Sequence, residues 1–76
     1  MKRELPSLKP KELVAALERS GFLVKRQTGS HLILYKPGIP RPISIPVHTK
    51  DLPKGTLRAI IRQANLTVDE FLKLIK

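Results

Sequence analysis

Two histidines, His31 and His48, are the residues of this chain best suited to acid–base chemistry, and cysteine is absent. Histidine has an ordinary pKa close to neutrality, so it can accept and return a proton at physiological pH. His31 directly follows Gly29 and Ser30, a pair typical of a tight turn. The backbone N–H groups of such a turn can bind an anion. The pattern therefore indicates proton transfer on an anionic substrate at His31.

Positive charge dominates the sequence around His31. The 76 residues include 15 Lys and Arg against six Asp and Glu, which gives a net charge of +9. No acidic residue lies between Glu18 and Asp51. Six basic residues occur from position 19 to position 50, namely Arg19, Lys25, Arg26, Lys36, Arg41 and Lys50. We expect nucleic acid as the partner, because neutralising phosphates supplies most of the sequence-independent affinity for it.

A lone imidazole is sufficient, in outline, to cleave RNA. A neutral imidazole removes the proton of a 2′-hydroxyl, and that oxygen attacks the adjacent phosphorus while cationic side chains stabilise the developing charge. DNA lacks this hydroxyl and would be spared. The sequence at His31 is equally compatible with a surface residue that has no role. Three features then favour function: the turn, the surrounding charge, and the lack of a competing nucleophile or carboxylate pair in the segment.

The remaining candidate side chains have simpler explanations. His48 is a secondary candidate, either a second proton carrier or a phosphate contact, but it could also cap the following helix or face water. The stretch between Glu18 and Asp51, which contains both histidines, has no carboxylate, so we expect no metal site and no cofactor. Ser30 lacks a histidine–carboxylate pair to activate it and suits a turn or a phosphate hydrogen bond. Tyr35 could stack on a base, although packing is its commoner role in a small sheet.

A basic stripe is predicted on a helix that begins after Asp51. Lys54, Arg58 and Arg62 fall on one face of a predicted helix, opposite its apolar residues. Each is individually typical of a solvated helix face. As a set, the three could follow a phosphate backbone.

Length and composition bound the class of protein. We treat residues 1–76 as a single domain, because a chain this short can build only one core. No signal peptide is visible, and no apolar run approaches the roughly 18 residues of a membrane span. We therefore expect a soluble, cytoplasmic protein that does not bind membranes. Weak self-association is left open.

Apolar periodicity predicts a helix followed by three strands. The helix covers residues 9–20 and ends at Gly21, which suits a left-handed cap. Strands are expected over 22–27, with Phe22, Val24 and Arg26 on one side, and over 31–36 after the turn at 28–30. A proline-rich loop over 37–42 separates them from a third strand that starts at Ile43 and alternates as far as His48. Pro46 argues that this strand lies at an edge or ends early.

Two further helices complete the predicted order. The first begins after Asp51 and ends near Asn65, a residue that tolerates the left-handed conformation. The second opens at Thr67 with Glu70 three residues later, a capping box. A helix, three strands and two helices favour an α+β fold, in which the helices cover one face of an antiparallel sheet.

Five segments together resemble the HicA (YcfA-like) family, the small toxins of type II toxin–antitoxin pairs. They are Ser20-Gly21-Phe22 and residues 26–31 (RQTGSH), 45–48 (IPVH), 51–57 (DLPKGTL) and 62–67 (RQANLT). The resemblance implies a fold similar to the double-stranded RNA-binding domain, translation-independent cleavage of mRNA, and neutralisation by a HicB-type antitoxin that covers the active site. The catalytic histidine of the family maps onto His31, and Gly29 and Ser30 match its motif. Many relatives have a second histidine where this chain has Leu32, and His48 is followed by Thr49-Lys50 rather than Gly-Asn.

The leading hypothesis is a metal-independent endoribonuclease, an mRNA interferase with His31 as general acid or base. Phosphate contacts are expected from Lys25, Arg26, Lys36 and Lys50, together with Gly29 and Ser30 of the turn. The first alternative is a non-catalytic RNA-binding module of the same fold. The second is a DNA-binding regulator that places the helix over residues 54–64 in a major groove.

Overall fold

The computed structural model describes residues 5–47 and 51–75 of the chain. Helix α1 comes first, and three strands, helix α2 and helix α3 follow in the predicted order. The elements are α1 Pro10–Arg19, β1 Leu23–Thr28, β2 His31–Tyr35, β3 Ile43–Pro46, α2 Lys54–Gln63 and α3 Val68–Leu74. The strands form one antiparallel sheet with β2 at its centre, so the α+β prediction is confirmed.

Helix α1 begins and ends where local sequence signals place its ends. Pro10 occupies the first turn, where its missing N–H costs no hydrogen bond. The carboxylate of Glu12 accepts a hydrogen bond of 2.9 Å from the backbone N–H of Lys9. Gly21 adopts φ +109°, the left-handed conformation predicted for the helix stop. Lys9 and Ser20 are therefore the caps of the helix rather than its terminal helical residues.

A β-bulge at Lys25 corrects the predicted faces of β1. Val24 pairs with Leu34, but the next ladder pair is Arg26 with Ile33, so Lys25 is the extra residue. The alternation predicted Val24 and Arg26 on one side, and that prediction is wrong. Because the bulge inverts the alternation, Arg26 lies on the face opposite to Val24.

The proline-rich segment forms a loop, and β3 lies at an edge of the sheet, as predicted. Gly38 adopts φ +93° in this loop, and the N–H of Ile39 donates to the carbonyl of Lys36 at 3.0 Å. Strand β3 ends at Pro46, which cannot donate to a ladder. Val47, which the prediction placed in the strand, lies beyond its end, and His48 lies outside the described residues.

Asn65 lies in the short segment between α2 and α3 and adopts φ +60°, as predicted for a helix stop. The Thr67 hydroxyl accepts a hydrogen bond of 3.0 Å from the N–H of Glu70, whose carboxylate accepts one of 2.8 Å from the N–H of Thr67. The predicted capping box is thus present. The guanidinium of Arg19 donates to the carbonyl of Leu74 and ties α1 to α3.

The hydrophobic core lies between one face of the sheet and the three helices. Helices α1 and α2 both contact β3, and both pack against α3. Every residue of β1 is exposed, so the helices cover the sheet on its β3 side and leave the β1 edge open. The buried apolar side chains from the central and far strands are Leu34, Ile43 and Ile45. Among the helices of the described part, none has the length and apolar character that a membrane crossing requires.

Candidate active site

The turn at Gly29 and Ser30 is tighter than predicted. Thr28 belongs to β1 and pairs with His31, so only two residues connect the strands. Gly29 adopts φ +55°, as the first position of the favoured two-residue hairpin turns requires. The side chain of Gln27 donates to the Gly29 carbonyl at 3.3 Å, and the N–H of Val47 donates to the Ser30 carbonyl at 2.8 Å. The turn is therefore held from both neighbouring strands.

The backbone N–H groups of the turn remain available for a ligand. No hydrogen bond within the described residues uses the N–H of Gly29 or of Ser30. Both carbonyls, by contrast, are already occupied. These two donors, which no described residue uses, directly precede the exposed His31, and turn N–H groups of this kind can bind an anionic oxygen.

His31 lies on the central strand at the turn end of the outer sheet face, the face that no described helix covers. It is exposed and pairs with Thr28 on one side and Pro46 on the other. Ser30 Oγ lies 3.5 Å from Nδ1 of His31, a long and weak contact. No hydrogen bond within the described residues engages Nε2, so this nitrogen is free to exchange a proton with a bound substrate.

Regular pairing from the turn places Arg26 on the outer sheet face, the face of His31. Arg26 is exposed and precedes Thr28 by two residues, which makes it the diagonal neighbour of His31 across the β1–β2 ladder. Such diagonal neighbours are about 7–8 Å apart, within reach of a long side chain. The guanidinium of Arg26 can therefore contact a phosphate held at the imidazole.

The other predicted phosphate contacts differ in their distance from His31. Lys25 is exposed at the bulge, one residue from Arg26. Lys36 directly follows β2, five residues beyond His31, which corresponds to about 16 Å along an extended chain. Lys50, like His48, lies outside the described residues. Lys25 and Arg26 thus lie on β1, the strand that pairs with β2 at His31. Lys36 lies beyond the other end of β2, away from His31.

Lys36 has a structural environment of its own. Its Nζ lies 5.7 Å from the centroid of the Phe22 ring, a cation–π contact. A Cβ added to Gly21 would come within 3.2 Å of Cε of Lys36, so the stem of Lys36 passes close over that glycine. Lys36 is half-buried and helps close the end of the sheet opposite the turn.

The sequence interpretation missed two neighbours of His31 and underrated a third residue. Thr28 and Pro46 are its cross-strand partners, and counting back from a two-residue turn would have identified Thr28. Tyr35 is 40% exposed on the outer sheet face, whereas packing was the expected role. Ile33 lies between Tyr35 and His31 on that face, so a partly apolar strip runs along β2 away from the imidazole.

The three strands carry no acidic residue, and their only charged side chains are Lys25 and Arg26. The acidic side chains of the described part lie on α1 and α3 and at Asp51. No group of three His, Cys, Asp or Glu side chains within the described residues could hold a metal ion. The arrangement can bind an anion and exchange a proton with it through His31.

A family model described as "HicA toxin of bacterial toxin-antitoxin" matches residues 10–66 of the chain. The match covers more than half of the 76 residues and extends from the start of α1 past the end of α2. It therefore includes the hairpin turn and the whole sheet. No curated protein matches the chain.

Proposed function

The chain belongs to the HicA toxin family of bacterial toxin–antitoxin systems, and from that premise we propose that it is an endoribonuclease that cleaves mRNA with His31 as its catalytic residue. The observation that carries the proposal is the position of His31, exposed on the outer sheet face beside free turn donors and the diagonal Arg26. Family membership supports the role of a toxin. The geometry supports the residue assignment.

The proposed reaction uses the 2′-hydroxyl of the substrate as the nucleophile. Nε2 of neutral His31 removes the hydroxyl proton, and the 2′-oxygen forms a new bond to the adjacent phosphorus. The bond from phosphorus to the 5′-oxygen breaks, and that oxygen takes a proton from the imidazolium or from water. The products are a 2′,3′-cyclic phosphate and a free 5′-hydroxyl, and the imidazole route requires no metal ion.

The charge that develops on the phosphate needs donors close to the phosphorus. The N–H groups of Gly29 and Ser30 and the guanidinium of Arg26 are the nearest candidates, and Lys25 is a more peripheral one. Lys36 is too far along β2 to contact the same phosphate. Bases next to the cleaved bond can rest on the strip formed by Ile33 and Tyr35, because aromatic and apolar faces accept any base.

A HicB-type antitoxin is the proposed protein partner. Family membership places the chain in a toxin–antitoxin system. An acidic partner would be attracted to the same positive sheet face and would cover the imidazole on binding. Neutralisation would then follow from exclusion of RNA.

Replacement of His31 by alanine tests the assignment. We expect cleavage of a defined mRNA to fall by at least about 100-fold, because a positioned general acid or base typically contributes 10²–10⁴. Cleavage by the wild-type chain should persist in EDTA, and a single 2′-deoxy nucleotide before the cleaved bond should prevent it. The measurement is the rate of product formation on a gel.

A matched variant controls for local disturbance of the hairpin at His31. Thr28→Ala changes the cross-strand neighbour of His31 but leaves the imidazole in place, so its cleavage rate should stay within a few-fold of wild type. Unchanged cleavage in His31→Ala would contradict the catalytic role. Absence of cleavage in the wild type, with RNA binding retained, would favour the non-catalytic RNA-binding module instead.

A further inference from the structure

A second basic surface lies on α2, away from the outer sheet face. Lys54, Arg58 and Arg62 are spaced by four residues and are all exposed, whereas Leu57, Ile60 and Ile61 on the other side of the helix are buried. None of the three cationic side chains makes a hydrogen bond or ion pair with the described residues. Helix α2 itself contains no acidic residue. Three exposed charges that no described residue compensates thus lie on one face, which we call the α2 stripe.

The direction of α2 connects the α2 stripe with the candidate active site. Strand β3 ends at Pro46 opposite His31, and α2 begins eight residues later at Lys54. At the other end of the helix, Gln63 lines a cavity together with residues 39–42, which precede β3. Helix α2 therefore runs antiparallel to β3. Lys54 lies toward the His31 end of the sheet, and Arg62 lies toward the opposite end.

Arg41 extends this line of positive charge. It is exposed in the loop before β3 and lines the same cavity as Gln63, the residue after Arg62. Arg41 thus lies near the C-terminal end of α2, the end that carries Arg62. Successive members of the α2 stripe are about 6 Å apart along the helix axis, comparable with the separation of adjacent phosphates along an RNA strand.

We propose that the α2 stripe, with Arg41, is a second nucleic-acid-binding surface that holds the phosphate backbone of the substrate RNA beyond the cleaved bond. The inference rests on the proposed function for the identity of the nucleic acid. The stripe consists only of long cationic side chains, which bind phosphates and carry no base preference. The surface would therefore raise affinity for long RNA without selecting a sequence.

The test measures how RNA affinity depends on salt. The ligand is a single-stranded 2′-O-methyl RNA of about 12 nucleotides, a length within the range that such surfaces cover. It cannot supply the attacking hydroxyl, so it stays intact whichever residue is catalytic. In the triple variant Lys54→Gln, Arg58→Gln, Arg62→Gln we expect the log–log slope of affinity against salt to become shallower by about 2, at about 0.7 per lost phosphate contact.

A second triple variant controls for net charge. Lys9→Gln, Lys11→Gln and Lys73→Gln remove the same charge from exposed positions on α1 and α3, or next to α1, and should leave the slope nearly unchanged. Equal slopes in the two triple variants, or an unchanged slope in the α2 triple variant, would overturn the proposal. A larger loss of affinity for duplex DNA than for the single strand would also overturn it and would indicate a groove-binding helix.

Cleavage assays separate this inference from the proposed function. The α2 triple variant should cleave an RNA of about four nucleotides at the wild-type rate and a long RNA more slowly at subsaturating concentration. Reduced cleavage of both lengths would contradict a role confined to the distal backbone. Loss of activity in His31→Ala bears only on catalysis and leaves the salt-slope result independent.

Discussion

Backbone conformation decides where single side chains of this chain lie, as much as their chemistry decides what they can do. His31 is placed by a turn that requires Gly29 at φ +55° and by two cross-strand partners. The imidazole therefore needs no buried support to keep its position on the outer sheet face. At the other end of the hairpin, Gly21 also has a positive φ, and the Lys36 side chain lies close to where a Cβ would be added.

Alanine substitution at three glycines should separate backbone strain from steric contact. Gly38→Ala adds a Cβ at φ +93° with nothing within 4 Å, so we expect a loss of about 1–2 kcal/mol from left-handed strain alone. Gly21→Ala should lose more, because its Cβ would also meet Cε of Lys36 at 3.2 Å. Gly55→Ala, in the first turn of α2 and in open space, should be neutral or stabilising by about 0.4–1 kcal/mol.

Urea unfolding of the three variants measures these free energies. The order of stability that we expect is Gly55→Ala, then Gly38→Ala, then Gly21→Ala. If Gly21→Ala is no less stable than Gly38→Ala, the packing of Lys36 over Gly21 contributes nothing measurable.

At the scale of elements, the two-residue turn decides which cation accompanies His31. The turn pairs Thr28 with His31, so regular alternation back along β1 places Arg26 opposite Ile33 on the outer sheet face. The bulge at Lys25 precedes this segment and turns Val24 to the helix side. The same bulge, with its lysine, interrupts an open edge that could otherwise pair with another strand.

Two deletions that both remove the bulge should differ in cleavage. Deleting Lys25 leaves Arg26 opposite Ile33, so cleavage should stay within a few-fold of wild type. Deleting Gln27 in a Lys25→Ala background also restores a regular ladder, but it moves Arg26 opposite Leu32 and thus to the helix side. This variant should cleave as slowly as Arg26→Ala.

Cleavage rates of the same mRNA under one salt condition provide the comparison, with unfolding curves to confirm that both variants fold. Equal activity of the two deletion variants would show that the face occupied by Arg26 is irrelevant to the reaction.

For the whole molecule, the core supports only part of the sheet. Leu34 and Val24 are cross-strand partners on the helix side, yet Leu34 is fully buried and Val24 is 45% exposed. The difference arises because the helices pack under β3 and leave β1 uncovered. A chain of 76 residues buries a small core and therefore has little stability to spare.

Separate alanine substitutions of Leu34 and Val24 should therefore lower the free energy of unfolding by very different amounts. Leu34→Ala should lose about 2–5 kcal/mol, enough to threaten folding of a small domain. Val24→Ala should lose less than about 1 kcal/mol, because little buried surface is removed. Thermal or urea unfolding measures both, and a comparable loss at the two positions would mean that β1 is packed more tightly than its exposure indicates.

Local sequence determined the elements of this protein and the position of its candidate catalytic residue in the chain. The Thr67–Glu70 capping box, the left-handed stop at Asn65 and the turn before His31 each depend on residues a few positions apart. Such signals are complete within the segment that carries them. The order of elements and the α+β class followed from them.

Only the tertiary structure decided which side chains meet. Strand pairing set the register that makes Arg26 the diagonal neighbour of His31, left Lys36 at the far end of the hairpin, and exposed Tyr35. It also aligned α2 antiparallel to β3, so that the α2 stripe leads away from the end of the sheet that carries His31. Register and helix placement depend on contacts between residues distant in sequence, and no short-range pattern records them.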